Sequence, residues 1–215
     1  MKTKLSNRLY IASTYVSSSP IIDVGSDHGQ LAIYLDSKGY KVYASENKIG
    51  PFNILKESIL KSNSLVNCIF LDGIKDMPND IKSVVILGMG GETIYKILNE
   101  GRKKLSSIDE IIIEPQSSFI KPISFLYENN FKNIDGKIIY ERKYYPILKF
   151  IHGKEDHQLN DLELNYGSFI VNNKDELLIK KLKNELIKLN SLIISGVKKD
   201  EDRLKLEDYL SILEN

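Results

Sequence analysis

Hydrophobic residues gather in short runs through the first two-thirds of the chain, and apolar positions recur at helical spacing between them. Pro20-Ile-Ile-Asp-Val-Gly, Lys41-Val-Tyr-Ala-Ser-Glu, Asn67-Cys-Ile-Phe-Leu-Asp-Gly, Ser83-Val-Val-Ile-Leu-Gly-Met-Gly-Gly and Glu110-Ile-Ile-Ile-Glu-Pro are rich in β-branched and apolar residues. Such runs mark strands buried on both faces of a parallel sheet. Residues 28–38, 50–62, 91–99 and 119–129 carry helical periodicity or good helix formers. Alternating elements of these two kinds predict an α/β fold with a doubly wound parallel sheet. Gly136-Lys-Ile-Ile-Tyr-Glu-Arg and Tyr145-Pro-Ile-Leu-Lys-Phe-Ile-His follow, separated only by Lys143-Tyr144. They predict an antiparallel hairpin that completes a mostly parallel, seven-stranded sheet.

Beyond residue 153 the pattern changes. Residues 153–173 are polar and read as a linker with one short helix at 159–165. Residues 174–194 form a long amphipathic helix with Leu178, Leu182, Leu186, Leu189 and Ile193 on one stripe. Ser195-Gly196 ends it, and Asp200 or Asp202 is placed to cap a second helix carrying Leu206, Leu210 and Leu213. The expected organisation is therefore a sheet domain over 1–153 and a helical, coiled-coil-like hairpin over 154–215. The hairpin has two open roles: a packing element, or an arm that binds substrate.

Composition narrows the class. No run approaches the ~18 apolar residues of a membrane span, the N-terminus has no apolar signal core, and Cys68 is the only cysteine. A cytoplasmic protein without a disulfide framework is expected. Formal charge is +4 over residues 1–153 and −3 over 154–215. No strongly basic domain stands out, so any contact with nucleic acid must use local patches such as Lys2/Lys4/Arg8 and Arg102-Lys103-Lys104.

Candidate chemistry sits where the strands end. Asp23-Val-Gly-Ser-Asp-His-Gly closes the first strand and opens a helix, with glycine allowing a tight turn and a close approach to a ligand. It lacks the G-x-G-x-x-G spacing of a dinucleotide loop. Acidic Asp27 would repel a pyrophosphate but suits a sulfonium-bearing zwitterion, which points to S-adenosylmethionine. Glu46 follows the second strand, placed to accept both ribose hydroxyls, and Asp72-Gly73 follows the third, placed to accept the adenine amine. Gly88-Met-Gly-Gly after the fourth strand permits close backbone approach, with carbonyls that can face a substrate base. No Asn/Asp-Pro-Pro-aromatic sequence is present to grip an exocyclic amine, and Cys68 lies inside a strand, which favours a ring nitrogen or oxygen as acceptor. His28, His152 and His157 lack metal-ligand spacing, and no metal is expected.

Leu5-Ser-Asn-Arg-Leu, Asp23-Val-Gly-Ser-Asp-His-Gly, Leu87-Gly-Met-Gly-Gly-Glu-Thr-Ile and Ile113-Glu-Pro-Gln together resemble the bacterial tRNA (adenine(22)-N1)-methyltransferase family along nearly the whole chain. The resemblance implies a Rossmann-like class I methyltransferase domain joined to a small helical domain. It also implies S-adenosylmethionine as cofactor, and tRNA as partner, methylated at adenine N1 in the D-loop. The chain departs from the family pattern at Gly29-Gln30 (usually Ala-Tyr), Ala32 (usually Pro) and Glu114 (usually Gln). Cofactor contacts are expected from Asp23, Gly25, Ser26, His28 and Gly29, from Glu46, Asn47, Asp72 and Gly73, and from Gly88 and Met89. Asp27 is the catalytic candidate, through stabilising charge that develops on the ring or accepting a proton; a helix N-cap is its alternative role. Lys4, Arg8, Gly90, Gly91, Gln116 and Tyr145 are the substrate candidates. A small-molecule methyltransferase with a helical lid, a non-catalytic cofactor-binding protein and a nicotinamide oxidoreductase are the competing readings.

Overall fold

The computed structural model describes residues 5–194 and 200–214. Seven strands form one sheet: β1 (Ile21–Val24), β2 (Val42–Glu46), β3 (Asn67–Phe70), β4 (Ser83–Met89), β5 (Glu110–Pro115), β6 (Phe131–Glu141) and β7 (Lys143–His152). Their order is β3-β2-β1-β4-β5-β7-β6. The first five run parallel, while β7 runs antiparallel to both β5 and β6. The order reverses at β1, so the crevice beyond the carboxyl ends of β1 and β4 is where a ligand of such a sheet binds.

The buried runs make the core. β1 is buried at all four positions, as is the whole of β5. Helices α1 (Asn7–Tyr15), α2 (Gln30–Asp36) and α3 (Ile49–Ser62) cover one face through Ala12, Leu31, Leu35, Leu55 and Ile59. Helices α4 (Gly91–Glu100) and α5 (Ile120–Glu128) cover the other through Ile94, Leu98, Ile123 and Leu126.

The hairpin differs from its expected register. β6 begins at Phe131, not Gly136, and the turn falls at Arg142, with φ +64°. Gly136 lies within the strand because Ile170 packs so close that a Cβ there would sit 3.0 Å from its side chain. The expected linker also differs. α6 (Asp161–Tyr166) begins with a capping box between Asn160 and Glu163, and α7 (Ser168–Asn172) follows at once. Leu162, Tyr166, Ile170 and Val171 are buried in the same cluster as Leu148 and Phe150 of β7. His157 pins the preceding loop, with Nδ1 3.0 Å from Asp156 and Nε2 2.8 Å from buried Glu163. α8 (Glu176–Ile194) buries Leu178, Leu182 and Leu189 of the expected stripe. α9 (Asp200–Glu214) adds Leu210 and Leu213, so Asp202 lies inside its first turn. The expected Ser195-Gly196 stop and the capping position before Asp200 lie outside the described residues. Among the described residues no helix is long and apolar enough to cross a membrane.

Candidate active site

The loop after β1 is built from its own acids and its neighbour strand. The Gly25 and Ser26 N–H groups donate to the Ser45 carbonyl at 2.9 and 3.1 Å, tying the loop to β2. Gly25 has φ +70°, and Asp27, at φ +51°, occupies the left-handed region that Asp tolerates better than most residues. The Asp27 N–H donates to Glu46 Oε1 at 2.7 Å, which holds that conformation. Asp23 is buried and accepts a hydrogen bond from the Ser26 hydroxyl. Burial pushes its carboxyl up to about 6; Ser26 opposes the rise and the nearby Glu46 charge adds to it. α2 starts from Gly29 in the left-handed conformation without any side-chain cap. The N-cap role is therefore not Asp27's, and its carboxylate stands in solvent at the cavity wall, 3.8 Å from His28 Nε2.

Two cavities meet at this loop. One, of about 370 Å³, is lined by Glu46, Asn47, Asp72, Gly73 and Met89, with Thr93 and Lys96 from α4. Asn47 Nδ2 donates to Asp72 Oδ1 at 2.8 Å, fixing both side chains. The other, of about 430 Å³, is lined by Asp23, Ser26, Asp27, His28 and Gly88, with Ser6, Arg8, Gln30, Gln116 and Glu141. Gly25 lines both. A Cβ there would collide with Met89 Cε, so glycine keeps the junction open.

The second cavity has a charged floor. β4 bulges at Gly88, where φ is +76° and the register with β5 shifts. That bulge turns the Gly88 N–H onto Glu114 Oε2 at 2.8 Å, and Arg8 Nη1 meets the same oxygen at 2.6 Å. Glu114 is fully buried, and its Oε1 has no hydrogen-bond partner among the described residues. Burial raises its pKa, although Arg8 and the Gly88 N–H pull the other way. Arg8 sits in the first turn of α1, which Ser6 caps through the Leu9 N–H at 3.3 Å. Its own N–H donates to Glu141 Oε1 at 3.1 Å, and its guanidinium lies 5.8 Å from the Tyr145 ring centre.

Sequence comparison agrees with this architecture. The model of the tRNA (adenine(22)-N(1))-methyltransferase family matches residues 21–214. The chain belongs to that family. It is 28% identical to the tRNA (adenine(22)-N(1))-methyltransferase of Bacillus subtilis over 98% of this chain and 94% of that protein. The solved structure of the Bacillus subtilis m1A22 tRNA methyltransferase superposes with a TM-score of 0.80 at 27% identity, covering 99% of this chain and 98% of the other. A relative from M. capricolum solved with S-adenosyl-homocysteine gives a TM-score of 0.79 at 26% identity, covering 98% of this chain and 96% of the other.

The adenine(22)-N1-methyltransferase motifs divide by location. The cofactor candidates Glu46, Asn47, Asp72, Gly73 and Met89 come together in one cavity, and Asp23, Ser26, His28 and Gly88 in the other. Gly29 lines neither and starts α2, because Leu55 fills the space beside its Cα. Gly90 and Gly91 line neither cavity. Gly91 donates to the Ser117 carbonyl at 2.8 Å, and a Cβ on it would press into the Ser117–Ser118 backbone. Its glycine thus serves close packing against the 117–118 turn. The Met89 carbonyl is likewise taken, by the Gln116 N–H at 2.8 Å. Tyr145 stands behind Arg8, and Lys4 lies outside the described residues. Glu114, Glu141, Ser6 and Gln30 were not assigned to the site from sequence, although Glu114 and Gln30 stood out as departures from the family pattern. Glu114 carried a further signal, a carboxylate ending an otherwise apolar strand.

Proposed function

We propose that the Glu46–Asp72 cavity holds S-adenosylmethionine and that the Asp27–Arg8 cavity receives N1 of adenine 22 in the tRNA D-loop. The observation that carries this assignment is Gly25, which lines both cavities and has no Cβ to close the passage between them. The donor set fits the cofactor. Glu46 spends Oε1 on the loop and has Oε2 left for ribose, while Asp72 has Oδ2 left for an adenine amine. The clustered carboxylates of Asp23, Asp27 and Glu46 favour a cationic sulfonium and oppose a pyrophosphate. When bound, S-adenosylmethionine supplies the methyl group.

The chain's own residues position and stabilise. Adenine N1 carries a lone pair at neutral pH and requires no deprotonation before it attacks. Alignment of the acceptor against the junction therefore supplies most of the acceleration. As positive charge spreads over the purine, the Asp27 carboxylate stabilises it and is placed to take a proton from the exocyclic amine. The target base is paired or stacked in folded tRNA and must be turned out to enter. Residues 1–153 are assigned this chemistry, residues 154–215 contact with RNA, and the cytoplasm is the compartment where both substrates meet.

Single-turnover methyl transfer to unmodified tRNA tests the role of Asp27. Asp27→Asn is expected to slow the step by about a hundredfold or more while tRNA affinity stays within a few-fold. A rate near wild type would remove Asp27 from the chemistry.

A further inference from the structure

The tip of the β6–β7 hairpin lies at the same end of the sheet as the active site. β7 pairs antiparallel with β5, with Ile113 opposite Leu148, so Lys143–Tyr145 continue past the carboxyl end of β5. Side chains alternate along this ribbon up to the turn at Arg142, beside which the Lys143 side chain also reaches the α8 side. Glu141 faces the substrate cavity and Tyr145 lies beneath Arg8. Tyr140 and Tyr144, directly paired across the strands, turn to the opposite side, toward α8. There they border a groove of about 480 Å³ between the hairpin tip and α8, which Arg142, Lys143, Asn184 and Lys188 also line.

The groove combines aromatic surface with unmatched positive charge. The two tyrosine rings lie 4.8 Å apart, Tyr140 is 57% exposed, and Asn184 Nδ2 holds the Tyr144 hydroxyl at 3.1 Å. Lys181 and Glu185 neutralise each other at 2.7 Å. Arg142, Lys143 and Lys188 have no acidic partner within ion-pair distance among the described residues. The charge is local, since residues 154–215 as a whole carry −3. Stacking platforms with adjacent cations suit unpaired nucleotides, whose bases stack while their phosphates meet Lys and Arg.

We infer that this groove binds the unpaired D-loop nucleotides that flank the flipped adenine, with a base on Tyr140 and phosphates at Arg142, Lys143 and Lys188. This rests on the tRNA reading above. Glu141, between Tyr140 and Arg142, walls the cavity itself, so RNA leaving that cavity over the hairpin tip passes directly into the groove.

Fluorescence anisotropy with full-length protein and unmodified tRNA, measured over a range of salt, tests it. Arg142→Gly suits the fold, because φ there is +64°. Combined with Lys143→Ala it is expected to weaken tRNA binding about tenfold and lower the salt slope by about 2. Tyr140→Ala should weaken binding several-fold without changing the slope. Melting temperature and S-adenosylmethionine affinity serve as fold controls. Unchanged tRNA affinity and slope in both variants, with wild type binding tRNA normally, would overturn the groove alone. A wild-type protein that binds and methylates no tRNA would overturn both readings.

Discussion

Asp23 shows how a single side chain joins site chemistry to stability. Its carboxyl is buried at the end of β1 and raised to about 6, above its ordinary 3.8, mainly by burial. The folded state therefore holds its proton more tightly than the unfolded chain does. The stabilisation this gives is complete below about pH 4 and is lost as pH rises through about 6. Asp23→Asn should accordingly raise stability at pH 7.5 by about 1–3 kcal/mol and flatten the profile between pH 4 and 6. Urea unfolding across that range checks it, and a variant less stable than wild type at pH 7.5 would contradict the assignment. The residue scale was only partly legible in sequence. Asp23, Asp27, Glu46 and Asp72 declare themselves because acids ending apolar strands have few structural uses in common. Glu114 ends a strand as well, but nothing in the sequence shows that a bulge 26 residues earlier turns the Gly88 N–H onto it. Arg8 was legible as a basic substrate candidate, but not its pairing with a buried carboxylate, because that partner lies 106 residues away.

Among the elements, α4 depends on one close approach. Gly91 begins the helix with ordinary helical freedom, yet a Cβ there would lie 2.6 Å from the Ser117 carbonyl and closer still to that of Ser118. The obstacle is backbone, which yields less than a side chain. Gly91→Ala should cost about 1–3 kcal/mol, seen as a lower urea midpoint with an unchanged slope. A neutral result would mean the 117–118 turn gives way easily. The other parallel strands and most sheet-flanking helices were legible because they bury a continuous run or a stripe; β3, at the sheet edge, was expected to be buried on both faces but buries none of its four residues. α1 was not, since its Leu9 and Ala12 are interspersed with Ser13, Thr14 and exposed Tyr10. α7 has only five residues, too few to show a period. The hairpin register was misjudged because Lys132, Asn133 and Asp135 give the start of β6 a polar look. Asn133 is nevertheless buried, its amide bridging the Asp135 and Lys149 carbonyls at 2.8 and 2.9 Å.

At the scale of the whole molecule, the chemistry and the helical segment share one core. Leu162, Tyr166, Ile170, Val171, Leu178 and Leu182 belong to the cluster that contains Phe131, Leu148 and Phe150 of the sheet. Removing everything after Gly153 would strip those six side chains, each contributing about 1.5–3 kcal/mol by burial. That loss rivals the whole stability of a typical domain, about 5–15 kcal/mol. The fragment 1–153 is expected to aggregate or melt without cooperativity; a soluble fragment with a sharp transition and normal S-adenosylmethionine affinity would contradict this. The RNA contact proposed for residues 154–215 must therefore be tested with point variants. What leaves the active site is tested most directly by locating the transferred methyl group. Unmodified tRNA should be incubated with the protein and labelled S-adenosylmethionine, then digested and mapped nucleotide by nucleotide. The account predicts about one methyl group per tRNA, as 1-methyladenosine at position 22, the position that names the family. Label on the adenine amine, on ribose, at another nucleotide, or none at all, would contradict it.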